Sequence, residues 1–328
     1  MGRFFPRPCL YHCPCIHCAG LHPCQTILED LIEQLLTYLP LFWSVTGLLL
    51  VSTVLYYYSV FRVRRKPFND PDILLRSKSG TPAKRLVACI GDSNTHGNSG
   101  FNYVSWLKTN LESSGLEFCN AGYNSDLAWN VLQRLDRVTA LNPEYIIIMV
   151  GTNDVVASLS RESAESYMQK KNLPQQPNSV FFIDSYRSMI DRIRAECNAR
   201  IAIVSIPVIG ENPGSVANQK AAAYNTKLQD LTYEYGLDYL SVFEEQIAYL
   251  RKQGVDPRKG TAEESFPITR AMMMRYILGI SWDKISSVHG LYLTTDKLHM
   301  NSTGGKMITS RIEHFLARSE ELRIGTVN

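Results

Sequence analysis

The sequence predicts an α/β protein: a three-layer α/β/α sandwich on a five-stranded parallel sheet, preceded by a single transmembrane helix. Three observations carry that expectation. Five short apolar runs, Leu86 to Ile90, Leu116 to Asn120, Tyr145 to Val150, Ile201 to Ile206 and Leu237 to Val242, alternate with longer amphipathic stretches, as parallel strands joined by crossover helices do. The runs "IIIMV" and "IAIVSI" are apolar at consecutive positions, which suits strands covered by helices on both faces. Ahead of them, Gln34 to Phe61 holds 28 residues without a charge, more than the roughly 20 needed to cross a bilayer as a helix.

Composition narrows the function classes. The chain has 328 residues, 45% of them hydrophobic, enough for one large packed domain. Lys plus Arg number 34 against 31 for Asp plus Glu, a net charge of +3, so no broad positive field invites nucleic acid, and no nucleic-acid motif appears. Five of the eight cysteines, Cys9, Cys13, Cys15, Cys18 and Cys24, crowd the first 24 residues. The body is therefore no disulfide scaffold, and Cys89 and Cys119, set in or beside apolar runs, read as small buried hydrophobes.

From the N-terminus, residues 1–33 form a Cys-rich segment expected to be disordered, because Pro6, Pro8, Pro14 and Pro23 interrupt any regular element. Its five cysteines and three histidines offer zinc ligands or acylation sites, but the spacing fits no zinc template, and neither metal nor cofactor is expected. Residues 34–61 are the transmembrane segment, with the span at residues 41–60. Trp43 and Tyr56 to Tyr58 stand as interfacial anchors, and Arg62 to Lys66, "RVRRK", stops the run. Residues 62–83 form a basic stop and a linker without apolar periodicity, residues 84–322 the α/β domain and 323–328 a tail. Arg62, Arg64, Arg65 and Lys66 follow the span, whereas Glu29, Asp30 and Glu33 precede it, which puts the C-terminal domain on the cytosolic side. The one N-x-S/T sequon, Asn301-Ser302-Thr303, adds to this, since a glycan there would crowd His299.

Ligands bind beyond the carboxyl ends of strands in such sheets. Three strand ends finish in turns of small polar residues: "GDSN" at Gly91 to Asn94, "NAGYNSD" at Asn120 to Asp126, and "GTNDV" at Gly151 to Val155. Near the C-terminus, "TTDKLHMN" places Asp296 three residues before His299, ahead of a helix expected from about Thr303. Ser93 in isolation is a helix cap or a nucleophile.

In family order, these four blocks resemble the SGNH, or GDSL, hydrolase superfamily of serine esterases and lipases, from about Arg85 to Leu316. The resemblance implies a flavodoxin-like fold and an ester-cleaving activity without a metal. It maps the nucleophile onto Ser93, the glycine of the second block onto Gly122, the asparagine of the third onto Asn153, and the last block onto Asp296 and His299. Chemistry gives each position a task. A neutral serine hydroxyl needs a base, which an imidazole supplies near neutral pH. A carboxylate on the other ring nitrogen fixes its tautomer and steadies the imidazolium. The oxyanion then needs donors: the N–H of Ser93, the N–H of Gly122 and the side-chain amide of Asn153. Glycine at 91 and 122 is expected to let backbone approach the substrate.

Rival motifs fare worse. No Gly-Lys-Ser/Thr follows the glycine-rich turn, so a phosphate loop is unsupported, and no G-x-S-x-G elbow exists. Asp92 braces the turn, His96 reads as a partly exposed loop residue, and His314 as a helix-surface one. The segment Phe266 to Gly290 carries Met272 to Met274, Tyr276, Ile277 and Leu278, either a flexible apolar lid or a helix packed on the core. The expected partners are an ester substrate, a lipid or an acylated small molecule, and a membrane. The alternatives are an acyltransferase on the same scaffold and a catalytically idle binding domain displayed on a membrane.

Overall fold

Each apolar run becomes a strand in the computed structural model, which describes residues 22–77, 85–255 and 267–325. The strands are β1 (Arg85–Gly91), β2 (Leu116–Gly122), β3 (Tyr145–Met149), β4 (Arg200–Val204) and β5 (Asp238–Leu240). They form one sheet in the order β2-β1-β3-β4-β5, every pair parallel. With β1 and β3 central, Val87 to Ile90 and Ile146 to Ile148 are buried on both faces, as their unbroken apolar character requires.

Two helix layers cover the sheet. The helix Ser179–Glu196 packs between Ala128–Gln133 and Val216–Tyr235, while the C-terminal helix Ser302–Gly325 packs against Tyr103–Asn110 and Phe243–Lys252. Cys89 and Cys119 lie fully buried in this core.

The chain divides into two units, Met1–Tyr56 and Tyr57–Asn328. Most of what is described of the first belongs to the helix His22–Arg64, which is long and apolar enough to cross a membrane and keeps Leu41, Phe42, Trp43 and Leu48 to Leu50 exposed. The helix starts upstream of the expected span and takes in residues 22–33, which the sequence assigned to a disordered segment. The cysteines from Cys9 to Cys18 lie outside the described residues.

The second unit starts earlier than expected as well. Residues 67–77 are fastened to the sheet rather than free: the Asn69 side chain donates to Phe118 O at 2.8 Å, and Asn120 N donates to Asn69 O at 3.0 Å. Asp70 is fully buried and caps the short helix Pro71–Ser77, accepting from Asp72 N at 3.0 Å. Low apolar periodicity hid this segment because its anchors are polar side chains, not a hydrophobic face.

Candidate active site

Strand register brings the sequence blocks together. Gly91 at the end of β1 pairs with Gly122 of β2 and Met149 of β3, so the three turns emerge side by side at the carboxyl edge. Asp92 caps the single-turn helix Ser93–His96, its Oδ1 accepting from Asn94 N at 2.9 Å. Ser93 is therefore the first residue of a braced turn, and its own N–H has no hydrogen-bond partner among the described residues. The two glycines make room for protein rather than for substrate. A Cβ on Gly91 would sit 2.2 Å from Met149 O, and one on Gly122 would sit 2.2 Å from His96 N.

His299 Nε2 lies 2.9 Å from Ser93 Oγ, and His299 Nδ1 lies 2.8 Å from Asp296 Oδ2. Asp296 accepts the proton on Nδ1, which leaves Nε2 to accept from the serine hydroxyl. The other carboxylate oxygen, Oδ1, accepts from the backbone N–H groups of Leu298 and His299 at 3.1 and 2.8 Å, so the loop's own main chain aims Asp296. Burial alone would lower the pKa of His299, but the charge and hydrogen bond of Asp296, with help from Asp92, outweigh it and hold the imidazole above its ordinary value.

What holds this loop against the Ser93 turn was not visible in the sequence. Asn94 grips the main chain on both sides of His299, donating to Leu298 O at 3.3 Å and accepting from Met300 N at 3.2 Å. Phe101 N donates to Met300 O at 2.8 Å. From the loop after β4, the buried Glu211 accepts from the N–H groups of Tyr292, Leu293 and Thr294 and from the Thr294 hydroxyl, all within 2.7–2.8 Å. No periodicity or motif marks Glu211; only its burial does.

The expected oxyanion donors fare unequally. Asn153, buried at the start of the helix Thr152–Ala157, directs Nδ2 toward Asp126 O at 3.0 Å and Asp92 Oδ2 at 3.5 Å, the second at the limit of a hydrogen bond. Its Oδ1 accepts from the Tyr167 hydroxyl at 2.8 Å. Gly122 departs from expectation: its N–H is already taken by Asn120 Oδ1 at 3.0 Å, a side chain two residues upstream that closes the turn. In the same loop Ser125 adopts a positive φ of 61°, and its N–H finds no partner among the described residues.

Three buried carboxyls sit beneath the site. Asp126 is paired with Arg134 and Lys171 at 2.8 and 2.6 Å. Asp154 accepts from the N–H of Ala128, at 3.1 Å from Oδ2. Burial, with the charges of Asp92 and Asp126 adding to it against that hydrogen bond, pushes it up to about 8. Burial likewise raises Asp92 to about 6, against its bond from Asn94 and the proximity of His299.

At the end of the turn that starts at Ser93 opens a cavity of about 660 Å³ lined by His96, the loop Gly122 to Ser125, Lys170, Met272 and the residues Val60, Val63 and Arg64. His96 is thus a buried cavity wall, not an exposed loop residue; burial lowers its pKa to about 4 and its Nδ1 has no hydrogen-bond partner among the described residues. Of the apolar segment after β5, the helix Ile268–Tyr276 buries only Ala271, while Met272 reaches the cavity and Met273 and Leu278 stay exposed. His314 is exposed on its helix.

Known proteins bear on this geometry in two ways. Residues 89–305 match the GDSL-like Lipase/Acylhydrolase family. Among solved structures, the acetyl xylan esterase AlAXEase is 18% identical with a TM-score of 0.51, the match covering 70% of this chain and 98% of that one. Axe2, an acetylxylan esterase from Geobacillus stearothermophilus, is 15% identical with a TM-score of 0.50, over 70% and 93% of the two chains. At such identities the likeness shows the fold. No curated protein matches the sequence. The family match spans the strand ends, the Asp296–His299 loop and most of the domain between them, and the chain therefore belongs to the GDSL-like lipase/acylhydrolase family of SGNH hydrolases, as a hydrolase acting on ester bonds.

Proposed function

We propose that the chain is a membrane-anchored serine esterase working through an acyl-enzyme on Ser93. The observation that carries the reading is the unbroken chain of hydrogen bonds from Ser93 Oγ through His299 to Asp296. His299 takes the serine proton as Oγ attacks the ester carbonyl, then returns it to the departing alcohol. Water repeats the sequence on the acyl-enzyme and releases the acid. The oxyanion is met by the Ser93 N–H and the Asn153 amide. With Gly122 N–H engaged by Asn120, the third donor passes to the N–H of Ser125, a residue of the same loop that lines the adjoining cavity and whose N–H has no partner among the described residues.

Residues 41–60 supply the anchor, and the domain faces the cytosol. The basic residues after the span support that orientation. Asn301 supports it too: its side chain is buried and donates to Ser286 Oγ at 2.8 Å and Tyr292 O at 2.9 Å, leaving no room for a glycan. The test is labelling of the full-length protein by a fluorophosphonate probe together with p-nitrophenyl acetate hydrolysis. Both should be abolished in a folded Ser93→Ala protein, and substantial turnover by that protein would overturn the assignment.

A further inference from the structure

The catalytic unit begins at Tyr57, inside the last two turns of the long apolar helix. Those turns are bound by side chains from the active-site loops. Asn98, just past the Ser93 turn, donates to Val63 O at 3.0 Å and Arg65 O at 2.9 Å, and Asn124, just past Gly122, donates to Val63 O at 3.0 Å. Carbonyls left open at a helix C-terminus are thus capped by two loops that flank the chemistry. Ser59 is fully buried, and Tyr276 joins the cluster, its hydroxyl donating to Asn98 O at 2.5 Å while its ring faces the Arg62 guanidinium at 5.2 Å.

The result is a cavity with one wall made of Val60, Val63 and Arg64. The opposite wall includes His96, one helical turn, about 5 Å of rise, from Ser93. Four cations line it and no carboxylate does. Lys66 is engaged by Asp72 and Asp70, and Lys171 by Asp126. Arg64 and Lys170 have no ion-pair partner among the described residues. Asn98 and Asn124 engage the Val63 and Arg65 carbonyls, which lessens the partial negative charge of the helix end, and the cations Arg64 and Lys170 oppose what is left of it. Val60, Val63 and Met272 add an apolar surface to the same space.

We infer that this cavity receives the phosphate-bearing part of a glycerophospholipid ester drawn from the bilayer surface, with Arg64 and Lys170 meeting the phosphate beside the Ser93 turn. The inference rests on the ester-hydrolase reading above. Chain continuity supplies the bilayer as the source, because Val60 and Phe61 end the uncharged run and Arg64 stands three residues beyond it. Arg64 and Lys170 then meet a charge that a neutral glyceride lacks. Net hydrolysis consumes one lipid ester and one water and yields a fatty acid and a lysophospholipid. The acyl–oxygen bond breaks, the acyl group passes through Ser93, and the alcohol leaves with the proton from His299.

The experiment compares kcat/KM of the full-length protein in neutral-detergent mixed micelles carrying either dioleoyl phosphatidic acid or dioleoylglycerol, with dibutyryl phosphatidic acid free in solution as a third arm. A preference of tenfold or more for micellar phosphatidic acid over dioleoylglycerol is expected. In the Arg64→Gln, Lys170→Gln double variant that ratio should fall to near one. Equal use of phosphatidic acid and dioleoylglycerol, or a preference that survives the double substitution, would overturn the inference. Dibutyryl phosphatidic acid turned over as fast as the micellar ester would overturn the bilayer source and assign the site to water-soluble phosphate esters. If these lipid results fail while Ser93-dependent p-nitrophenyl acetate hydrolysis persists, only this inference falls. Loss of fluorophosphonate labelling as well would bring down the hydrolase reading itself.

Discussion

The hydroxyl of Tyr167 donates to Oδ1 of Asn153 at 2.8 Å and so decides which way that amide faces. The proposed mechanism asks Asn153 to offer its nitrogen, not its oxygen, to the oxyanion, and Tyr167, on the helix Arg161–Lys171, holds the amide in that sense together with the Nδ2 bond to Asp126 O at 3.0 Å. Burial, with the nearby charges of Asp92 and Asp154 adding to it, raises the tyrosine pKa, so the hydroxyl stays a donor throughout the working pH range. Tyr167→Phe should lower kcat about threefold to tenfold, the value of one hydrogen bond of about 1 kcal/mol, with KM little changed. Separate kcat and KM values on p-nitrophenyl acetate check this; a rise in KM alone would contradict a role in orienting Asn153.

The pH dependence of turnover follows from His299. In the proposed mechanism it is the base and must be neutral, so kcat/KM is expected to fall as pH drops through its pKa, which Asp296 and Asp92 hold above 6.5 against the effect of burial. The acid limb of the profile should therefore have its midpoint above 6.5. Asp296→Asn removes the main opposition to burial and favours the wrong tautomer. Residual activity should be lower by several orders of magnitude and its acid limb displaced to lower pH, and an unshifted limb would refute the pairing.

Asp154 makes a prediction about stability instead. Its folded-state pKa, about 8, stands above the 3.8 of a free carboxyl, so the folded chain keeps a proton that the unfolded chain loses. Stability from this group is complete below about pH 4 and is lost progressively as pH rises toward about 8. Asp154→Asn keeps an acceptor for Ala128 N and removes the titration. Thermal melts between pH 5 and 9 should show a flatter decline in Tm for the variant than for the parent, and parallel curves would count against a protonated Asp154.

Orientation is decided by protease protection on sealed microsomes. With the domain on the cytosolic face, protease added outside should degrade residues 67–328 without detergent. Full protection until detergent is added would place the domain in the lumen and refute the cytosolic assignment.

The five strands were legible because parallel strands buried on both faces must be apolar at every position, and the four blocks were legible because backbone turns at strand ends demand small residues in a fixed order. Ser93, His299 and Asp296 were singled out through the resemblance that the four blocks carry, since Ser93 alone reads as a cap or a nucleophile, and Ser93 and His299, 206 positions apart, meet only through the fold. Tertiary structure decided what depends on which polar groups find each other. Asn120 takes the Gly122 N–H, Glu211 collects four donors from the Asp296 loop, and Asn98 and Asn124 cap a helix that the sequence assigned to the membrane and a linker. A hydrophobic pattern is periodic and survives in one dimension. Such a hydrogen bond joins single atoms from distant segments, and nothing in the intervening chain records it.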